Sequence, residues 1–204
     1  TSYIVFVTDV SGSMSNEIDD DVTRLQVAQQ SIKDAIAEIF DELGSYAKIG
    51  LVSYDTSVVS STTFYDESNE MTLNTEVDLY APGLGTATHV GLDAAKAELD
   101  AITGTNISKF IVLLSDGQPD SETRVDQSML EILKGADIEV YSITLNTVST
   151  LIDDMSRWSS NSICSSDATS LGQAAVVTGR GGCTTSSPNA NNNIYYAYDG
   201  STSS

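Results

Sequence analysis

Apolar residues recur along this chain in two rhythms. Tyr3 to Val7 and Phe110 to Leu114 are short continuous runs of β-branched, aromatic and aliphatic residues. Each exits into polar residues, Asp9 after the first and Ser115-Asp116-Gly117 after the second. Such runs predict buried strands at residues 3–8 and 109–114. Between them the spacing turns helical. Leu25, Ala28, Ile32, Ala35, Ile36, Ile39, Phe40 and Leu43 predict an amphipathic helix over about 22–43, with Gly44 placed to cap it. Val90, Leu92, Ala95, Leu99 and Ile102 predict a second helix over 88–102. Further strands are expected at Lys48–Tyr54, Val58–Tyr65, Ile138–Leu145 and Ile194–Tyr198, and further helices over 123–134 and 148–158. Residues 9–21 read as a polar loop. Residues 66–85 are mixed, with an acidic opening and a break at Pro82-Gly83.

Strands that alternate with helices and are apolar almost throughout predict an α/β fold, a mostly parallel sheet covered on both faces. In such sheets ligands bind beyond the carboxyl ends of the strands. Asp9 and Asp116 both stand at that end of their predicted strands.

Composition narrows the picture. The chain has 204 residues, 40% of them hydrophobic and 19% charged, which suits one folded domain over 1–204. Its formal net charge of −20 repels phosphate backbones and anionic lipid, which argues against nucleic-acid and membrane-surface partners. No apolar run approaches the roughly 20 residues of a membrane-spanning helix. The first residues already read as a core strand, so the chain is expected to be excised or processed from something longer. Cys164 and Cys183 fall in a stretch rich in Ser, Gly, Thr and Asn. Residues 159–193 are therefore read as an irregular insertion stapled by a disulfide, which implies an oxidising compartment and contributes about 3 kcal/mol. With His89 the single histidine, a Cys/His zinc site lacks ligands.

The candidate chemistry begins at Asp9-Val10-Ser11-Gly12-Ser13. In an extended segment, residues two apart point to one side, so one carboxylate and two hydroxyls converge, and Gly12 admits a close backbone approach. Oxygen donors suit hard cations, which take about six ligands. Thr86, in Gly85-Thr86-Ala87-Thr88, is placed to add a hydroxyl, with Thr88 as the near alternative. Asp116 is placed to add a second carboxylate, directly or through water. Two carboxylates match the charge of a divalent ion, and neutral hydroxyls leave it able to accept an outside carboxylate.

Rival readings are weaker. Each Asp alone reads equally well as a cap of a nearby helix. Glu17, Asp19, Asp20 and Asp21 lack the spacing of an EF-hand loop and read as a solvated acidic loop, as do Asp66, Glu67 and Glu70. His89, beside the Thr loop, reads as a surface residue or one that backs the ligands, and not as a ligand itself. A phosphoryl-accepting Asp9 would call for a second Asp two residues on, where Ser11 stands. Neither a Gly-x-Ser-x-Gly elbow nor a Walker A loop is present.

Asp9-Val10-Ser11-Gly12-Ser13, then Gly85-Thr86, then Leu113-Leu114-Ser115-Asp116-Gly117 resemble a von Willebrand factor type A domain. The metal-ion-dependent adhesion site (MIDAS) of that family has the form D-x-S-x-S, a separate Thr, and a separate Asp before Gly. The resemblance covers about residues 3–158, and Tyr195-Tyr196-Ala197-Tyr198-Asp199 is similar to the family's last strand. It implies a Rossmann-like sheet and a divalent cation, Mg²⁺ with Mn²⁺ or Ca²⁺ as alternatives, on Asp9, Ser11, Ser13, Thr86 and Asp116. Two departures stand out: the long stretch 159–193, and the missing helix after the last strand.

The reading that follows is a non-enzymatic, extracellular or cell-surface adhesion domain of a larger surface or pilus-type protein. Its partner is a protein or matrix ligand that offers an Asp or Glu carboxylate. The alternatives are an intracellular partner module of an ATPase or chelatase complex and, behind it, a Mg²⁺-dependent phosphotransferase or phosphatase.

Overall fold

The computed structural model of the chain describes residues 1–19, 21–116, 137–145, 175–176 and 194–196. The strands are β1 (Ser2–Asp9), β2 (Glu17–Asp19), β3 (Val22–Thr23), β4 (Ala47–Tyr54), β5 (Val58–Ser61), β6 (Ser108–Ser115), β7 (Ile138–Thr144), β8 (Ala175–Val176) and β9 (Ile194–Tyr196). The helices are α1 (Arg24–Leu43), α2 (Glu70–Asp78) and α3 (Thr88–Asp100). A seven-stranded sheet runs in the order β5-β4-β1-β6-β7-β9-β8. Its five inner strands are parallel, and β5 and β8 close the edges antiparallel.

The apolar strands explain the layering. Along β1, Ile4 and Phe6 face one side, where α1 and α2 bring Leu25, Ala28, Ile32, Ile36, Phe40, Leu73 and Val77. Val5 and Val7 face the other side, where α3 brings Leu92, Ala95 and Leu99. A strand buried on both faces has no polar face to show, which is why β1 and β6 read as unbroken apolar runs. From β1 the chain crosses through α1 to β4 on one flank. From β4 and β5 it returns through α3 to β6 on the other flank. The order therefore reverses between β1 and β6, and loops leaving their carboxyl ends diverge into a crevice. The register pairs Thr8 with Leu114, so Asp9 stands level with Ser115.

Several sequence expectations need adjusting. The loop at 9–21 contains a 3₁₀ turn (Gly12–Ser15) and the short β2–β3 hairpin. Helix α1 starts at Arg24 rather than 22 because Thr23 caps it. The Thr23 hydroxyl accepts from the Gln26 N–H at 3.2 Å, and the Gln26 side chain accepts from the Thr23 N–H at 2.8 Å. Gly44, with φ of 53°, ends it as expected. The strand expected to Tyr65 stops at Ser61, with an isolated bridge from Ile49 to Tyr65. Residues 70–78 form α2, which the pattern did not reveal: only Leu73 and Val77 are buried in it, too few to set a period. Ala175–Val176, inside the stretch read as irregular, form β8 beside β9. The helices expected at 123–134 and 148–158, Cys164, Cys183 and their bridge lie outside the described residues.

One close approach fixes the height of α3 over the sheet. A Cβ on Gly91 would lie 2.4 Å from Tyr54 Cδ1 and 2.8 Å from Val7 Cγ1. Gly91→Ala is expected to force the helix and Tyr54 apart and destabilise the fold by about 1–3 kcal/mol, read from the midpoint of urea unfolding. An unchanged midpoint would mean that this contact imposes nothing.

Candidate metal centre

Asp9 is fully buried at the end of β1. One carboxylate oxygen accepts the Ser11 N–H at 2.8 Å, and the other accepts the Ser115 hydroxyl at 2.6 Å. The first bond turns the chain just after the strand. The second ties β1 to β6 across the crevice. Ser11 then adopts φ −59° and ψ 166° and leads into the 3₁₀ turn. The Ser11 and Ser13 hydroxyls lie 3.1 Å apart. They converge because the backbone turns, and not through the alternation of an extended segment expected from the sequence. Gly12 serves as expected: a Cβ there would meet the Gly83 and Leu84 carbonyls at 3.3 and 3.4 Å.

Asp116, also fully buried, follows β6 and reaches the same turn. Its Oδ1 accepts the Ser13 hydroxyl at 2.8 Å, and its Oδ2 accepts from Arg24 Nη1 at 2.6 Å. Loops 103 residues apart are thus joined side chain to side chain.

The Thr86 loop is strapped to this turn by backbone bonds. Gly12 N–H donates to the Leu84 carbonyl at 2.9 Å, and Gly83 N–H donates to the Val10 carbonyl at 2.6 Å. Asp55, beyond β4, holds the loop from the other side. Its carboxylate accepts the Leu84 N–H at 3.1 Å and its carbonyl accepts the Ala87 N–H at 2.7 Å. A Cβ on Gly83 would come within 2.4 Å of Asp55 Oδ2. Burial raises the Asp55 carboxyl, but the N–H groups of Ser57 and Leu84 and the Thr56 hydroxyl together outweigh this and hold it below its usual value. Thr86 is buried in the strapped loop. Thr88 opens α3 instead, and its hydroxyl accepts from the buried Tyr54 at 3.3 Å.

The sequence reading did not assign Ser115, Arg24 or Asp55. Asp55 carried a signal, since it exits an apolar strand just as Asp9 and Asp116 do. Ser115 lies inside the Leu113-Leu114-Ser115-Asp116-Gly117 motif. Arg24 carried none, because its partner stands 92 residues away.

The electrostatics favour a cation. Burial pushes the Asp9 carboxyl from 3.8 to about 6; hydrogen bonds from Ser115 and Ser11 oppose the rise and the charge of Asp116 adds to it. Burial, and then the charge of Asp9, also pushes the Tyr54 phenol well above its usual value. Asp9 is thus a buried anion whose charge is poorly compensated, and a hard cation would relieve it. Among the described residues no group of three or more His, Cys, Asp and Glu could hold an ion. Any ion here would therefore rely on two carboxylates supplemented by hydroxyls, a donor set that fits Mg²⁺ chemistry.

A family model described as von Willebrand factor type A domain matches residues 4–170. Compared by sequence with curated proteins, the chain has no match. In three dimensions it is similar to the pilus adhesin SpaC of Lactobacillus rhamnosus GG, with TM-score 0.63 and 20% identity over 77% of this chain and 27% of that one. It is also similar to the PilB minor pilin of Streptococcus sanguinis, with TM-score 0.64 and 19% identity over 77% and 54%. A third likeness is proximal thread matrix protein 1 of the mussel byssus, with TM-score 0.61 and 20% identity over 78% and 39%, described with a zinc-occupied MIDAS motif. The chain thus spans about a quarter to about half of these proteins, and at such identities the likeness is one of fold.

The raised Asp9 value has a consequence for the metal-free protein. Because the folded-state value lies above the unfolded one, ionising Asp9 costs the fold stability. This group's contribution is most favourable below about pH 4 and falls by about 3 kcal/mol as pH rises through about 6. In EDTA, Asp9→Asn is expected to gain stability relative to the unchanged protein by up to that amount between pH 4 and 7. A stability difference that stays flat over this range would contradict the assignment.

Proposed function

The chain belongs to the von Willebrand factor type A domain family, and on that premise we propose that it is a metal-dependent adhesion module that binds an acidic group of a protein or matrix partner. The observation that carries this reading is that Asp9, Ser11, Ser13, Ser115 and Asp116 join the loops after β1 and β6 at the sheet's reversal point, with the Thr86 loop strapped to them by backbone bonds. Asp9, Ser11, Ser13, Thr86 and Asp116 are the residues that would hold the ion. Thr86 is preferred to Thr88 because its loop is bonded to the serine turn, whereas Thr88 lies within α3.

A bound divalent cation, Mg²⁺ by preference, would supply a Lewis-acid position that a partner's carboxylate completes. The chain's own residues prepare that position. The Ser11 N–H and the Ser115 hydroxyl fix both oxygens of Asp9, so the carboxylate is oriented before any ion arrives. Ser13 links the turn to Asp116. Asp55 holds the Thr86 loop in place. Each is binding and positioning work, and no nucleophile–base pair is among them, so the module is read as a binder and not an enzyme.

The fold shared with a pilus adhesin and a minor pilin supports a place at the cell surface or outside the cell, within a larger protein. The zinc reported in the MIDAS of the byssus protein supports a divalent ion at the corresponding position here. A bridge between Cys164 and Cys183 in a single domain spanning 1–204 is part of the same reading.

Calorimetric titration with Mg²⁺ or Mn²⁺ is expected to give one site per chain. Ser11→Ala, which keeps the N–H bond to Asp9, is expected to weaken that site about tenfold or more while circular dichroism stays unchanged. Absence of any saturable site in the unchanged protein would refute the proposal.

A further inference from the structure

Among the described residues, Arg24 is a cation that meets a candidate ligand directly, Asp116. Its side chain is 19% exposed, and the Asp116 side chain it meets is 0% exposed, so the ion pair sits at the buried edge of the site. Its backbone is fixed as well. Arg24 opens α1 directly after the Thr23 cap, and its N–H donates to the Asn16 carbonyl at 2.9 Å, just past the serine turn. The pair is not a two-pronged clamp. Asp116 divides its oxygens, Oδ2 to Arg24 and Oδ1 to Ser13, and Arg24 Nε is buried without a partner. The guanidinium thus holds one Asp116 oxygen and leaves the other turned to the serine turn.

We infer that Arg24 is a built-in counter-ion of the metal centre, which weakens its hold on a cation and makes the loaded centre more attractive to a partner's carboxylate. The inference rests on the metal-binding reading given above. The charge arithmetic is direct. Asp9 and Asp116 together carry two negative charges, and Arg24 returns one positive charge that no ordinary pH removes. A divalent ion entering this set leaves a net positive centre. Without Arg24 the same ion would be neutralised. The guanidinium lies 2.6 Å from a buried candidate ligand, so solvent would screen its repulsion of an ion poorly. In the absence of metal the same charge offsets that of its buried partner, Asp116.

Arg24→Gln and Arg24→Lys, titrated with Mg²⁺ and melted in EDTA and in Mg²⁺, test this. Arg24→Gln is expected to bind Mg²⁺ about tenfold tighter than the unchanged protein, to melt lower in EDTA, and to gain more from added Mg²⁺. Arg24→Lys keeps the charge and is expected to stay within about threefold of the unchanged affinity. Equal or weaker Mg²⁺ binding by a folded Arg24→Gln would overturn the inference. So would a tenfold loss in Arg24→Lys, which decides the matter should the glutamine variant not fold. If the unchanged protein binds no Mg²⁺, the metal-binding reading fails with it. If it binds Mg²⁺ and Arg24→Gln fails to tighten, only the counter-ion role is lost.

Discussion

The fold is organised around the burial of two carboxylates where two parallel strands end side by side. A buried carboxylate costs several kcal/mol unless hydrogen bonds or opposite charge compensate it. Around Asp9 that compensation comes from a backbone N–H and a serine hydroxyl, and it is incomplete, since the carboxyl remains pushed up to about 6. Around Asp116 it comes from Ser13 and Arg24. The donors come from the serine turn, the start of α1 and β6, so satisfying the two carboxylates also draws these together with β1. The Asp9–Ser115 bond joins the two strands whose loops diverge, at the point where an α/β sheet opens its crevice.

Much of this was legible in the sequence because it repeats with the period of the backbone. Strands buried on both faces leave unbroken apolar runs, and α1 carries a stripe long enough to set its own phase. The site was legible in part, because its carboxylates and hydroxyls sit directly beyond those runs and share a family spacing. What escaped was contact between distant residues. Arg24 looks like any polar residue at a helix start until Asp116 is seen against it. Asp55 looks like a turn residue until the Thr86 loop is seen leaning on it. Helix α2 was missed because a short helix buried through two residues has no period to read. The serine turn was misjudged locally: convergence of Ser11 and Ser13 was right, but a 3₁₀ turn produces it.

The balance of donors separates this centre from a carboxylate cage. A cage captures a cation by accumulating negative charge and leaves it little appetite for anything else. Here there are two carboxylates, hydroxyls that add no charge, and an arginine that subtracts from the total. On the proposed reading, such a set would hold an ion less tightly and keep it attractive to an incoming anion. On the same reading, the strong negative charge of the whole chain, −20, would make a local reversal of charge all the more necessary for an acidic partner to approach.

The most direct measurement is the position of the ion itself. Crystals soaked in Mn²⁺ and measured at its absorption edge should give one anomalous peak within bonding distance of oxygens from Asp9, Ser11, Ser13, Thr86 or Asp116, with a remaining position filled by solvent or a neighbouring carboxylate. A peak elsewhere on the molecule, or none at saturating Mn²⁺, would contradict the account.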